Sequence, residues 1–145
     1  MTADDLARIQ EELDVELPKT YREFVRKYPK TLLEAKRHMT KGDESPAELE
    51  LLNDADALIA CNSGVQASQG LHDFPAEYFV IGQSGCGDYY AIDTDDDDSP
   101  VYFWNHEIGD FDEEEEHESL AAFAAELIRG VKLFNEAVGQ RRGGR

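Results

Sequence analysis

The sequence is poor in cysteine and has no long apolar run. Its 145 residues include two cysteines, Cys61 and Cys86, which do not make a disulfide framework and are expected to be free thiols in a reducing compartment. No run of about 18 apolar residues is present, so no membrane-spanning helix is predicted. The N-terminal residues also lack the basic and apolar regions of a signal peptide. We therefore expect a cytoplasmic protein.

Positive charge is also scarce. The chain has 14 Lys and Arg residues against 32 Asp and Glu residues, which gives a formal charge of -18. The electrostatic potential of such a negative chain disfavours nucleic acid and anionic membranes as partners and favours a basic protein. Residues 88–118 alone contain fourteen acids and no lysine or arginine. A solvated face is the usual role of such a segment, and steering of a cationic partner is the alternative.

Apolar residues at spacings of three and four predict helices near both ends of the chain. Residues 4–13 form the first predicted helix, and a second one follows Leu17-Pro18, because proline suits the first turn of a helix. The apolar repeat from Leu120 to Phe134 predicts a long helix that lies on a sheet. The length and the even composition predict one domain.

Residues 79–104 are rich in β-branched and aromatic side chains and predict three short strands that form a meander. A glycine turn at 82–87 and an acidic loop at 93–100 separate these strands. We expect residues 62–75 to be irregular, residues 108–118 to be an acidic connection, and the tail from Gly139 to be frayed.

The glycine pattern at 82–87 could suggest a phosphate-binding loop. Such a loop needs a following helix whose N-terminus points at the anion, and here a strand is predicted to follow. No lysine is present in the segment. A simple turn is therefore the better interpretation.

The acidic loop has the alternate oxygen spacing of a calcium site, at Asp93, Asp95 and Asp97. A calcium loop needs glycine at its sixth position and glutamate at its twelfth, where this chain has Asp98 and Trp104. A solvated loop is therefore favoured over a metal site. The cysteines and histidines also lack the spacing of a zinc site, so neither a metal nor a cofactor is expected.

The sequence contains candidate nucleophiles but does not predict the groups that would activate them. Ser84 and Cys86 fall in the predicted glycine turn, and His106 follows the third predicted strand. The sequence indicates no group that would orient the histidine, and the surrounding carboxylates would raise the pKa of the thiol. We therefore do not expect an enzyme.

Side chains on a strand alternate between two faces, so half of the aromatic residues in the strands should lie opposite the core. Alternation places Tyr90 and Ile92 on one face of their strand and Tyr89 and Ala91 on the other. In the next strand, Tyr102 and Trp104 share a face. Aromatic residues that remain outside the core, with charges around them, are typical of protein interfaces.

Several short motifs together resemble the SUKH superfamily, the Smi/Knr cell-wall-regulator type of domain. These motifs are Leu17-Pro18 with Tyr21 and Phe24, the strand Phe79-Val80-Ile81-Gly82, the turn and strand formed by Gly85, Gly87-Asp88-Tyr89-Tyr90 and Asp93, and the strand Pro100 to Trp104. The resemblance covers residues 3–135, and residues 136–145 are expected to be a helix end and a disordered basic tail.

The resemblance implies an α+β fold: a single domain with a central, largely antiparallel sheet flanked by N-terminal and C-terminal helices. For bacterial members it implies an immunity protein that binds and neutralises a cognate toxin, often a nuclease, of a polymorphic or contact-dependent system. Fungal members are regulatory interaction proteins, so a regulatory or scaffolding module without a toxin is the alternative. No catalytic residue carries over from the family.

The hypothesis from the sequence is thus a non-enzymatic immunity protein with a basic toxin as its partner. Acidic residues would steer the toxin and form ion pairs, and two aromatic residues would act as anchors. The predicted partner-binding residues are Tyr89, Asp95, Asp96, Asp97, Asp98, Trp104, Asp112, Glu113, Glu114 and Glu115.

Overall fold

A computed structural model describes residues 1–37, 50–67, 74–84 and 87–143 of the chain. These residues form five α-helices, one four-stranded sheet and a short 3₁₀ helix. The α-helices are α1 (Ala3–Leu13), α2 (Lys19–Arg26), α3 (Lys30–Arg37), α4 (Ala55–Ala67) and α5 (Leu120–Gly143). The strands are β1 (Tyr78–Gln83), β2 (Tyr89–Asp93), β3 (Tyr102–Asn105) and β4 (Asp110–Phe111), and the 3₁₀ helix is Glu113–Glu115. The predicted α+β fold of one domain is confirmed.

Helix α1 begins with a reciprocal cap. The Thr2 hydroxyl accepts a hydrogen bond from the Asp5 N–H (3.1 Å), and the Thr2 N–H donates to the Asp5 carboxylate (2.9 Å). This pair satisfies two N–H groups that have no partner inside the helix. Helix α1 then presents Leu6 and Ile9 to the core, as its apolar spacing predicts.

The sheet is antiparallel throughout, with the strands in the order β1-β2-β3-β4. Three neighbouring pairs fix its register: Tyr78 lies opposite Asp93, Ala91 opposite Tyr102, and Trp104 opposite Phe111. Strand β4 lies inside residues 108–118, which were expected to be only an acidic connection. A turn with Gly109 at φ 64° brings β4 back onto β3.

One face of the sheet, the inner face, packs against the helices. Tyr90 contacts Phe123 of α5 (ring centroids 4.7 Å apart), and Phe79 contacts Tyr21 of α2 (5.6 Å). Ile81 belongs to the same buried cluster. Burial of these large side chains supplies most of the driving force for folding, since each contributes about 1.5–3 kcal/mol.

Two helices extend further than the sequence predicts. Residues 62–67 were expected to be irregular and instead continue α4, where Asn62 and Val65 are buried. Helix α5 continues to Gly143, past Gly139, because a single glycine costs a helix only about 1 kcal/mol. The domain boundary at residue 135 stays a prediction.

Candidate functional site

Six aromatic side chains cover the face of the sheet opposite the helices; we call them the outer aromatic patch. Alternation from the inner Phe79, Tyr90 and Phe103 places the strand members on this face. The rings are in direct contact: Tyr78 and Tyr102 lie 5.2 Å apart between centroids, and Phe111 lies 4.7 Å from Tyr78. The members are Phe74, Tyr78, Tyr89, Tyr102, Trp104 and Phe111.

Trp104 lies at the bottom of this patch. Phe74 and Phe111 pack on its indole, with centroids 5.1 and 5.0 Å away, and only 3% of the residue is exposed. Trp104 shares a face with Tyr102, as alternation predicts, but the expected exposure of Trp104 is wrong, because Phe74 and Phe111 from outside β3 cover it. Tyr89 is half-buried beside Phe74, and part of its ring faces solvent. Trp104 therefore packs beneath Phe74 and Phe111 and is not available to a partner, whereas Tyr89 remains a surface residue.

The acidic loop between β2 and β3 is shaped by its own side chains. The Asp93 carboxylate accepts a hydrogen bond from the Asp95 N–H, and the Asp96 carboxylate accepts one from the Asp98 N–H (both 2.9 Å). The Asp93 N–H donates to the hydroxyl of buried Ser99 (2.9 Å). These local bonds favour a tight turn. Residues 95–98 are exposed, as the sequence predicts.

Asp97 has a second role that the sequence does not reveal. Helix α2 follows Pro18, which has no side chain that can cap the helix. The Asp97 carboxylate accepts a hydrogen bond from the Lys19 N–H (3.0 Å), although the two residues are far apart in sequence. An anion at this end of a helix also interacts favourably with the helix dipole. Asp97 therefore joins the acidic loop to α2.

The second acidic segment is held against β3. The Asp112 N–H donates to the Phe103 carbonyl (2.9 Å), and the Asp112 carboxylate caps the 3₁₀ helix by accepting from the Glu114 N–H (3.1 Å). Asp112 is half-buried, whereas Glu113, Glu114 and Glu115 are exposed. The predicted acids of this segment thus divide into one structural residue and three surface residues.

Carboxylates of both acidic segments affect the pKa of two tyrosines of the outer aromatic patch, Tyr78 and Tyr102. Burial raises the pKa of Tyr78, and the charges of Asp93, Glu77 and Glu116 raise it further. Burial also raises the pKa of Tyr102, where Tyr78, Glu116, Asp93 and Asp96 add to the effect. Asp93 and Glu116 therefore connect the patch to the acidic segments, and neither is among the predicted site residues. Alternation puts Asp93 on the same face of β2 as Tyr89, but only the register of the paired strands shows that it lies opposite Tyr78.

Glu115 acts on the other side of the sheet. Burial raises the pKa of Tyr90 to about 12, and Glu50, Glu115 and Asp88 contribute to this rise. Tyr90 belongs to the inner face, where it packs on Phe123. Glu115 thus acts on a tyrosine of the inner face, whereas Glu116 acts on Tyr78 and Tyr102 of the outer face.

Ser84, Asp88 and His106 form a hydrogen-bonded group at the glycine turn. The Asp88 carboxylate lies 2.6 Å from His106 Nδ1 and accepts from the Ser84 hydroxyl (3.2 Å) and the His106 N–H (3.0 Å). Burial acts to raise the pKa of Asp88, but these hydrogen bonds outweigh it and lower the pKa below its ordinary value. The aspartate lies between the serine and the histidine, whereas a catalytic triad needs the histidine in that place.

The group therefore braces the turn, and Asp88 is the orienting partner of His106 that the sequence did not indicate. Gly87 in the same turn has φ +93°, a conformation that favours glycine, and a Cβ there would lie 3.7 Å from the His106 ring.

The described cysteine is not activated. Burial raises the pKa of the Cys61 thiol, and the Gln83 amide, which donates to Sγ (2.8 Å), only partly opposes this. A thiol with a raised pKa is a poor nucleophile at neutral pH. The prediction that carboxylates raise the pKa of the Cys86 thiol concerns a residue outside the described part of the chain. Among residues 1–37, 50–67, 74–84 and 87–143, no three His, Cys, Asp or Glu side chains are grouped to hold a metal ion.

A model of the SMI1/KNR4 family (SUKH-1) matches residues 1–128. The chain belongs to the SUKH-1 family. No curated protein and no solved structure matches the chain. The SUKH-1 match ends inside α5, and the helix continues beyond it to Gly143.

Several residues that carry the SUKH-1 resemblance act in the fold. Leu17, Tyr21 and Phe79 are buried in the core, and Asp88 braces the glycine turn. Other residues of the same motifs, Tyr89, Asp93 and Tyr102, lie on the outer face of the sheet. In the described part of the chain, no helix is both long and apolar enough to cross a membrane.

Proposed function

We propose that this SUKH-1 protein is an immunity protein that binds and neutralises a cognate, basic toxin. Family membership is consistent with such a role. The observation that carries the proposal is the pair of exposed acidic segments, 95–98 and 113–115, which flank the sheet in a chain of net charge -18. A surface of this kind complements a strongly basic protein.

Neutralisation requires stoichiometric binding and no chemistry by the immunity protein. The acidic segments would attract the toxin and increase the association rate, by 10- to 1,000-fold at low salt for a strongly steered pair. The bound protein would then cover the toxin's active surface. The proposed contacts are Tyr89, Asp95, Asp96, Asp97, Asp98, Asp112, Glu113, Glu114 and Glu115. Trp104 is no longer proposed as a direct contact, because it is buried.

The first experiment tests the function itself. Candidate toxin domains from the adjacent genes are expressed alone and together with the protein, and cell survival is measured. The purified pair is then titrated by calorimetry at low salt. We expect rescue and a one-to-one complex. If the toxin is neither bound at low salt nor neutralised, the immunity proposal fails and the regulatory alternative is favoured.

The second experiment tests the acidic loop. Asp95→Asn, Asp96→Asn and Asp98→Asn are combined, and Asp97 is left intact because it caps α2. The control combines Glu11→Gln, Glu16→Gln and Glu136→Gln, three exposed acids that lie outside the acidic segments. Both variants change the net charge equally, so long-range attraction falls equally. We expect association to slow several-fold more in the loop variant, with the difference reduced at high salt. If association slows equally in both variants, the acidic loop is not part of the binding site.

A further inference from the structure

Two tyrosines of the outer aromatic patch lie next to a carboxylate. Asp93 lies directly opposite Tyr78 across β1 and β2, and Tyr102 lies opposite Ala91 across β2 and β3. Asp93 and Ala91 share a face because they are two residues apart on one strand. A carboxylate and two phenol rings thus occupy neighbouring positions on the outer face.

Ring contacts hold the two tyrosines in place. Their centroids lie 5.2 Å apart at an interplanar angle of 86°, and Phe111 packs on both, at 4.7 Å from Tyr78 and 5.5 Å from Tyr102. Edge-to-face packing of this kind fixes ring orientation before a partner binds. Tyr78 and Tyr102 are half-buried, so each retains exposed surface.

Burial raises the pKa of both tyrosines, and carboxylate charges raise it further. Asp93 and Glu116 act on both hydroxyls, and Asp96 of the acidic loop acts on Tyr102. The phenols stay protonated at neutral pH, since both have a raised pKa, and their rings keep a negative face. Both the carboxylates and the ring faces attract a cation, and both disfavour a phosphate or a nucleic acid base with its backbone.

We propose that Tyr78, Tyr102, Phe111, Asp93 and Glu116 form a surface that receives an arginine side chain of the basic partner. This inference rests on the proposed function, because it assigns the contact surface of the same toxin. Arginine suits the surface better than lysine, because the planar guanidinium stacks on an aromatic ring while it donates to carboxylates. A cation that packs on an aromatic ring is attracted by the negative face of the ring, and arginine and tyrosine are common in the contacts that dominate binding.

Calorimetry with the neighbouring toxin domain tests the surface through two variants, Tyr78→Leu and Tyr102→Leu. Leucine keeps an apolar side chain on the sheet and removes the negative ring face. We expect each variant to weaken binding by about 10- to 30-fold. The matched control is Phe134→Leu, at a residue of α5 that is 68% exposed and lies outside the patch; it should bind as tightly as the unmodified protein. Thermal unfolding confirms that all three variants are folded.

A second measurement does not need the toxin. Aromatic carbon NMR signals of Tyr78 and Tyr102 are followed during titration with N-acetyl-arginine amide, and with the uncharged N-acetyl-citrulline amide as control. We expect both tyrosine signals to shift with the arginine compound only, and the shift to be lost in Asp93→Asn. Equal shifts with both compounds, or none, would overturn the cationic receptor.

The two measurements separate the possible failures. If the toxin binds and both leucine variants bind it equally well, this surface is wrong and the immunity function stands. If the toxin does not bind at all but the arginine compound shifts both tyrosines, the proposed function fails and the receptor for a cationic side chain stands.

Discussion

The side chain of Asn62 is expected to be one of the most important polar groups for stability. Asn62 projects from α4 to the free edge of β1, where its amide donates to the Val80 carbonyl (3.0 Å) and its oxygen accepts from the Val80 N–H (2.8 Å). The amide also donates to the Leu58 carbonyl (2.9 Å). Asn62 is 3% exposed and Val80 is fully buried. The side chain thus replaces a neighbouring strand for one residue of β1.

The substitution Asn62→Leu removes these bonds with little change in side-chain volume. It leaves the N–H and the carbonyl of Val80 buried without partners, and each unsatisfied group costs about 1–3 kcal/mol. Burial of the added apolar atoms offsets part of this loss. We therefore expect the free energy of unfolding to fall by about 2–5 kcal/mol, a large part of the 5–15 kcal/mol typical of a domain.

Urea unfolding measures this change, with the fluorescence of Trp104, the single tryptophan, as the signal. Ser63→Leu is the control, because Ser63 is the next residue of α4 and is exposed. The control should change the free energy of unfolding by no more than about 0.5 kcal/mol. A loss below about 1 kcal/mol for Asn62→Leu, at an unchanged denaturant slope, would show that the edge of β1 does not depend on Asn62.

Three further predictions concern Tyr21, Asp88 and the end of α5. The Tyr21 hydroxyl is buried without a hydrogen-bond partner in the described part of the chain, so Tyr21→Phe should raise the free energy of unfolding by about 1 kcal/mol in urea titrations; a loss would reveal a partner. Asp88→Asn should lower stability by about 1–2 kcal/mol at pH 7, because the carboxylate of Asp88, 13% exposed, loses charge-assisted hydrogen bonds. The pKa of Asp88 is lower in the folded protein than in the unfolded chain. The carboxylate therefore contributes fully to the free energy of unfolding above the unfolded pKa of about 3.9, and this contribution disappears as pH falls through the folded pKa. A stability difference between the two proteins that is constant down to pH 2 would contradict this. The double variant Leu133→Ala with Phe134→Ala should change the free energy of unfolding by less than about 0.5 kcal/mol, because these side chains are 60% and 68% exposed. Buried Val131 is the comparison, and Val131→Ala should cost about 1–3 kcal/mol. Equal losses would mean that the end of α5 is packed.

The sequence predicts well those elements in which apolar residues repeat over several turns or in which capping residues mark an end. Helix α1 has its period and its cap within a few residues, and α5 repeats apolar residues over several turns. Helix α4 is different beyond Asn62, because Ser63 and Gly64 have low helix propensity. Hydrogen bonds from Asn62 to β1 and the burial of Val65 stabilise this part, and neither can be read from local sequence.

The candidate site shows the same division between local and tertiary information. Alternation correctly places Tyr102 and Trp104 on one face of β3 and Tyr89 opposite Tyr90 on β2, and the register then brings Tyr89 and Trp104 to the same face of the sheet. Which of them remains exposed depends on Phe74 and Phe111, which arrive from outside the three predicted strands. The acidic runs are visible in composition, but only the paired register shows that Asp93 lies beside Tyr78.

Some of the acids in the candidate site are required by the fold and others are not. Asp93 and Asp97 accept hydrogen bonds that shape the loop and cap α2, and Asp112 caps the 3₁₀ helix. The side chains of Asp95 and Asp98 make no hydrogen bond or ion pair to any described residue, and the same holds for Glu113, Glu114 and Glu115. Because exposed positions of this kind tolerate substitution within about 0.5 kcal/mol, they can change with the partner while the caps maintain the surface that presents them. We therefore expect the residues that set partner choice among Asp95, Asp98, Glu113, Glu114 and Glu115. Loss of Asp93, Asp97 or Asp112 should reduce stability and binding together.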